Sequence, residues 1–140
     1  MADKIVLNYC VDGDDLSRAG EASSEMKMTL RRLGLAPDVI RKASICMYEG
    51  EINMVIHANG GQATVEVGLD EIDITMADTG PGIPDIDKAM EEGFSTAGDV
   101  ARDLGFGAGM GLPNMKRYSD EMTLESTVGV GTTVRMKIKI

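Results

Sequence analysis

Hydrophobic and polar positions along the chain fall into two periods. Lys4 to Val11 alternates, with Ile5, Leu7, Tyr9 and Val11 on one face, and predicts a first strand. From Leu16 the period lengthens: Leu16, Ala19, Ala22, Met26, Leu30 and Leu33 step by three or four, the stripe of an amphipathic helix ending at Gly34. Between them, Asp12-Gly13-Asp14-Asp15 predicts a turn and the helix N-cap. Pro37 suits the first turn of a second helix, which runs to about Ala58 and stops at Asn59-Gly60-Gly61. Ala63 to Leu69 and Glu71 to Ala77 predict a hairpin, the second strand alternating Ile72, Ile74 and Met76. Residues 85 to 104 are helix-forming but irregular, and a long segment of this kind between two glycine motifs predicts a lid. Pro113 to about Tyr118 predicts a short helix. Glu121 to Thr127 and Thr132 to Ile140 predict two closing strands, joined at Val128-Gly129-Val130-Gly131; in the last, Val134, Met136, Ile138 and Ile140 alternate with Arg135, Lys137 and Lys139.

Projected at about 100° per residue, the second helix separates its polar residues. Arg41, Ser44, Tyr48, Glu51 and Val55 gather in one arc, the predicted solvent side, which would make Glu51 dispensable. Glu49, Asn53 and His57 fall on the side away from solvent, near Cys46 and the isoleucines. A carboxylate, an amide and an imidazole facing inward are costly unless they are partnered. Two readings follow: a satisfied buried hydrogen-bond network, or one wall of a ligand cavity. In the second, Glu49 is a general base and Asn53 a hard-oxygen ligand to Mg²⁺.

Composition narrows the field. The 140 residues fit one domain, residues 1–140, and 43% hydrophobic with 26% charged residues is a globular balance. A net charge of −9, no Trp, 2 Phe and 3 Tyr argue against nucleic acid, which needs cations for phosphates and rings for bases. No apolar run approaches a membrane span and Met1-Ala2-Asp3-Lys4 opens no leader, so the expectation is a cytoplasmic chain that no membrane holds. Cys10 and Cys46 are read as buried reduced thiols, and a single His without Cys-x-x-Cys argues against a zinc centre.

Two glycine motifs need an explanation beyond folding. Asp78-Thr79-Gly80-Pro81-Gly82-Ile83-Pro84 ends a strand; it is either chain punctuation or a carboxylate placed to accept a hydrogen bond from an adenine amino group. Gly105-Phe106-Gly107-Ala108-Gly109-Met110-Gly111-Leu112 carries four glycines at alternate positions. It is either a flexible turn or a loop whose N–H groups approach a phosphate chain ahead of a helix.

Three motifs thus stand in order: Glu49-x-x-x-Asn53-x-x-x-His57-Ala58, Asp78-x-Gly80-x-Gly82, and Gly107-x-Gly109-x-Gly111-Leu112. Together they resemble the N, G1 and G2 boxes of the GHKL superfamily of gyrases, heat-shock chaperone ATPases, histidine kinases and mismatch-repair ATPases. Ala89 to Thr96, Met110 to Arg117 and Ser119-Asp120-Glu121 look most like the small anti-sigma-factor and stressosome switch kinases.

The resemblance implies an α+β Bergerat fold, a two-layer sandwich with a mixed, mostly antiparallel sheet of about five strands covered by helices on one face. It implies ATP and Mg²⁺ as cofactors. Asn53 would hold Mg²⁺, and Glu49 would orient or deprotonate the attacking hydroxyl. Asp78 would read adenine above Gly80 and Gly82, with Thr132 supporting it through water. Gly107, Gly109 and Gly111, followed by Leu112, would cradle phosphates, with Gly105 as the lid hinge and His57 structural. The implied activity is serine/threonine phosphorylation of a STAS-domain anti-sigma antagonist or stressosome-like protein. The alternatives are an ATP-gated module that sequesters a sigma factor or activates a phosphatase, and a plain ATPase. A homodimer stays open. For the basic residue that would reach the terminal phosphates from the lid, residues 97 to 104 offer only Arg102, beside Asp99 and Asp103.

Overall fold

The alternation of the strands is realised as rows of side chains running across one sheet. The computed structural model describes residues 4–13, 16–58, 60–83, 86, 90 and 111–140. Strands β1 (Ile5–Asp12), β2 (Gly60–Val67), β3 (Glu71–Asp78), β4 (Glu121–Thr127) and β5 (Gly131–Lys139) are ordered β1-β2-β3-β5-β4, every pairing antiparallel. Register places Leu7, Val65, Ile74, Met136 and Met122 in one row across all five strands, and Tyr9, Ala63, Met76, Val134 and Leu124 in the next. A slip of one residue would turn both rows to solvent, so burial fixes the pairing.

The other face is polar. Asn8, Thr64, Thr75, Arg135 and Thr123 form a row there, and Glu66 stands directly opposite Asp73. Lys4 lies 3.6 Å from the first of these carboxylates and 3.8 Å from the second, relieving their repulsion. Such exposed pairs contribute under about 1 kcal/mol each. Cys10 belongs to this open face and is exposed, because β1 alternates and Tyr9 and Val11 take the inward positions; among the described residues only Cys46 is a buried thiol.

Helices α1 (Glu21–Arg32), α2 (Pro37–His57) and α3 (Gly111–Tyr118) cover the apolar face, giving the expected α+β sandwich. Among the described residues no helix is long and apolar enough to cross a membrane. Met26, Leu30, Met47, Ile72, Ile74, Met136 and Ile138 are almost wholly buried between the layers, and cutting any of them to alanine costs about 2–5 kcal/mol. Gly50 lets α2 press on the sheet: a β-carbon there would run into the Met76 sulfur.

Helix α1 starts later than its apolar stripe suggests. A 3-10 turn, Leu16–Arg18, precedes it, and its N-cap is Gly20 at φ 103°, not the aspartate cluster. Its end is a Schellman motif, with Leu35 N–H donating to the Leu30 carbonyl and Gly34 N–H to that of Arg31.

The cap that the local sequence lacks comes from α2. Glu51 Oε2 accepts from Gly20 N–H at 2.8 Å and Ala22 N–H at 3.2 Å; Oε1 accepts from Ser23 N–H at 2.9 Å and its hydroxyl at 2.6 Å. Glu51 is only 2% exposed and Val55 is also buried, which corrects the solvent-facing arc. Helix α1 crosses that arc, and its free N–H groups and positive dipole end hold the carboxylate out of water. Arg41 and Tyr48, on the same arc, are exposed as expected.

Candidate functional site

Three elements, α2, α3 and the turn from Asp78, carry the predicted site residues among the described ones, apart from Thr132 on β5. Helix α2 supplies Glu49 and Asn53, both half-buried. Asn53 abuts the start of α3: a β-carbon on Gly111 would lie 3.1 Å from both its amide oxygen and its amide nitrogen. One turn back, Glu49 Oε1 accepts from the Asn114 side-chain amide at 3.4 Å. The N box and the end of the G2 box are therefore in contact, and Leu112 anchors the junction by packing against the core. His57 departs from its expected inward position. It is exposed, because the last turn of α2 runs into the mouth of an open cleft that His57 helps to line.

Electrostatics separate the groups on this face. Burial pushes the Glu49 carboxyl above the usual range, and the bond from Asn114 opposes the shift. The Cys46 thiol is pushed up to about 12, by burial first and then by the negative charges of Asp120 and Glu49. It stays protonated and donates to the Met115 carbonyl at 3.7 Å, so it is no nucleophile.

The G1 side is built by backbone. Asp78 Oδ1 accepts from Gly80 N–H at 2.9 Å, closing a tight turn, and from Thr132 N–H at 3.2 Å. Thr132 thus holds Asp78 directly through its main chain, where the resemblance implied water. Both bonds fall on one oxygen, so among the described residues Oδ2 stays open to a ligand donor. Gly80 packs on the end of α2, where an added β-carbon would come within 2.7 Å of Ala58. Gly82 needs its left-handed backbone, φ 80°, and its missing side chain leaves room for the Thr127 carbonyl.

The β4–β5 turn clamps this loop. Gly129 N–H donates to the Pro81 carbonyl at 2.9 Å, and Ile83 N–H donates to Ser126 Oγ at 2.7 Å. Ser126 Oγ lies 2.8 Å from the Thr132 hydroxyl and 3.3 Å from the Gly131 carbonyl. Sequence reasoning missed this serine, although a cue exists. It follows Met122 and Leu124 on the inward side of β4, a polar residue in an apolar row.

A cleft of about 760 Å³ opens beside the same loop, lined in part by Ala58, Gly61, Thr79, Gly80 and Pro81. It borders the G1 turn, but Glu49, Asn53 and Asp78 are not among its lining residues, so volume alone does not mark the site. Gly105, Gly107, Gly109 and all of the expected lid except Ile86 and Met90 lie outside the described residues.

The donor set suits a magnesium nucleotide. Asn53 offers a hard amide oxygen beside a helix start that has no side chain at Gly111, and Mg²⁺ draws most of its ligands from phosphates and water. Among the described residues no group of three or more His, Cys, Asp or Glu gathers to hold a metal by itself.

Comparison with known proteins agrees with this geometry. The serine/threonine-protein kinase RsbT of Bacillus subtilis is 42% identical over 87 residues, 59% of each chain. An anti-sigma F factor of Caldanaerobacter subterraneus subsp. tengcongensis is 39% identical over 93 residues, 63% of this chain and 62% of its own. The anti-sigma F factor of Geobacillus stearothermophilus is 31% identical over 106 residues, 71% of this chain and 69% of its own. The match thus spans about three-fifths of the first two relatives. The family described as histidine kinase-, DNA gyrase B-, and HSP90-like ATPase matches residues 40–140, a stretch that holds most of α2, the G1 turn, α3 and the last four strands. The chain belongs to that family.

Proposed function

We propose that the protein is an ATP- and Mg²⁺-dependent serine/threonine protein kinase of the anti-sigma switch type, acting on a STAS-domain antagonist or stressosome-like protein. The observation that carries this reading is the junction of Glu49, Asn53, Gly111 and Asn114 where α2 meets α3, together with Asp78 held by two N–H groups. The 42% identity to a chain named a serine/threonine-protein kinase supports it.

In this reading Asn53 holds the metal, and Gly111, with Gly107 and Gly109, receives the phosphates. Asp78 Oδ2 accepts from the adenine amino group while Oδ1 stays fixed, with Gly80 and Gly82 shaping the floor. Bound Mg-ATP supplies the phosphoryl group and the neutralising charge. The chain's own contribution is positioning. Glu49 takes the proton of the attacking serine or threonine hydroxyl, and its raised pKa makes the carboxylate a better base than a solvated one.

The relatives named anti-sigma F factor favour a second reading, an ATP-gated module that binds a sigma factor. Affinity for a purified STAS-domain protein and for a sigma factor, measured with ATP, with ADP and without nucleotide, separates the two when phosphorylation is followed in parallel. The kinase reading expects phosphate on the STAS protein; nucleotide-dependent binding of either partner without transfer would replace it with the second.

A further inference from the structure

Ser126 carries no role in the nucleotide contacts assigned above, yet it is the point where the G1 loop, the β4–β5 turn and Thr132 meet. Its hydroxyl has one proton to give and two lone pairs. One lone pair is taken by Ile83 N–H at 2.7 Å. The Thr132 hydroxyl is 2.8 Å away and the Gly131 carbonyl 3.3 Å. Two arrangements are open, and only the first keeps all three contacts, since the second gives up the bond to Gly131. Either Ser126 gives its proton to Gly131 and Thr132 donates to Ser126, or Ser126 donates to Thr132 and the Thr132 proton is released toward the site.

The same threonine's N–H holds Asp78 Oδ1, and the Gly131 backbone, at φ 150°, lies so close to the Asp78 carbonyl that a β-carbon would collide with it. Ile83 is the last described residue of the loop that begins at Asp78. One hydroxyl therefore holds Ile83 directly and Asp78 through Thr132, and it sets whether Thr132 offers a ligand a donor or an acceptor.

We propose that Ser126 is the positioning residue for base selectivity. It locks Asp78 and the Thr132 hydroxyl into the arrangement that prefers a purine carrying a 6-amino group. This rests on the reading of Asp78 as the adenine contact. Without the serine hydroxyl, Ile83 N–H and the Thr132 hydroxyl lose their partner, the turn relaxes, and the carboxylate is no longer aimed.

The test is equilibrium binding of ATP, GTP and purine riboside triphosphate, which lacks the 6-amino group, to wild type and to Ser126→Ala, Ser126→Thr and Asp78→Asn. Ser126→Ala is expected to reduce the preference for ATP over the purine analogue at least about tenfold, the loss of one half-buried hydrogen-bond partner. Ser126→Thr, which keeps the hydroxyl, should restore it. A purely structural serine would weaken all three ligands alike and leave the ratio unchanged, which would overturn the proposal.

Asp78→Asn separates the serine's role from that of the carboxylate. If it abolishes the preference while Ser126→Ala keeps it, Asp78 reads adenine and the serine proposal fails alone. If Asp78→Asn keeps the preference, the adenine reading fails and the proposal with it. Should Ser126→Ala not fold, Ser126→Cys retains the shape with a weaker hydrogen-bonding group, and the same ratio decides.

Discussion

Glu49 and Glu51 stand two residues apart on α2 and meet opposite surroundings. About 200° of helix rotation divides them. Glu51 turns to the start of α1, where four hydrogen bonds from N–H and hydroxyl donors enclose it. Glu49 turns to α3, where burial raises its pKa and a 3.4 Å bond from Asn114 steadies it. The first carboxylate is fully satisfied and so can only hold the fold together. The second is half-buried and, among the described residues, accepts a single hydrogen bond, the condition in which a carboxylate retains capacity for chemistry. On one helix, the number of donors facing a carboxylate separates the Glu51 cap from the proposed base Glu49.

The sharpest way to break this comparison is to delete the structural member. Glu51→Ala strands the N–H groups of Gly20, Ala22 and Ser23 and should lower stability by about 3 kcal/mol, read as a shift in the urea midpoint. A loss within about 0.5 kcal/mol, the level of an ordinary surface change, would mean that the cap contributes little. Gly20→Ala probes the same cap from the other side. At φ 103° a side chain is strained, and its β-carbon would press on the Tyr48 ring. A loss of about 1–2 kcal/mol is expected, with ATP binding per folded molecule unchanged.

Asn114→Ala has the smallest effect and acts on the other carboxylate. The bond from Asn114 favours the charged form of Glu49, so its removal raises the Glu49 pKa further. A base is active when deprotonated, so the acid limb of the transfer rate against pH should move to higher pH. A limb that stays in place would show that Asn114 does not govern Glu49.

Much of this architecture is legible in the residue pattern alone. The strands and the hairpin follow from period-two alternation, because one face of the sheet is buried and the other is not. Pro37 and the glycines after Ala58 bound α2 closely, since both act locally. Glu49 and Asn53 group together because i, i+4 spacing stacks side chains on one face. Glu51 escapes the projection for a physical reason: a single solvent arc leaves no place for a second helix, but α1 packs beside α2 on the same face of the sheet and covers part of that arc, and the cap joins residues about thirty positions apart. Nothing near Glu51 signals that partner. The α1 N-cap is hidden for the same reason, since a distant carboxylate replaces the local one. Cys10 follows the strand and not the general habit of cysteine: the alternation that turns Tyr9 and Val11 inward puts it on the open face. Ser126 and Thr132 are different, because they are directly paired across β4 and β5 and each continues an inward apolar row.

The most direct test is a matched pair of isosteric substitutions, Glu49→Gln and Glu51→Gln, assayed for transfer of labelled phosphate from ATP to a purified STAS-domain protein, with ATP affinity and thermal melting measured on the same samples. The account predicts that Glu49→Gln melts and binds ATP like wild type but transfers phosphate at least about 100-fold more slowly, while Glu51→Gln melts earlier and transfers at the wild-type rate per folded molecule. Transfer at the wild-type rate by Glu49→Gln, with loss confined to Glu51→Gln, would contradict it.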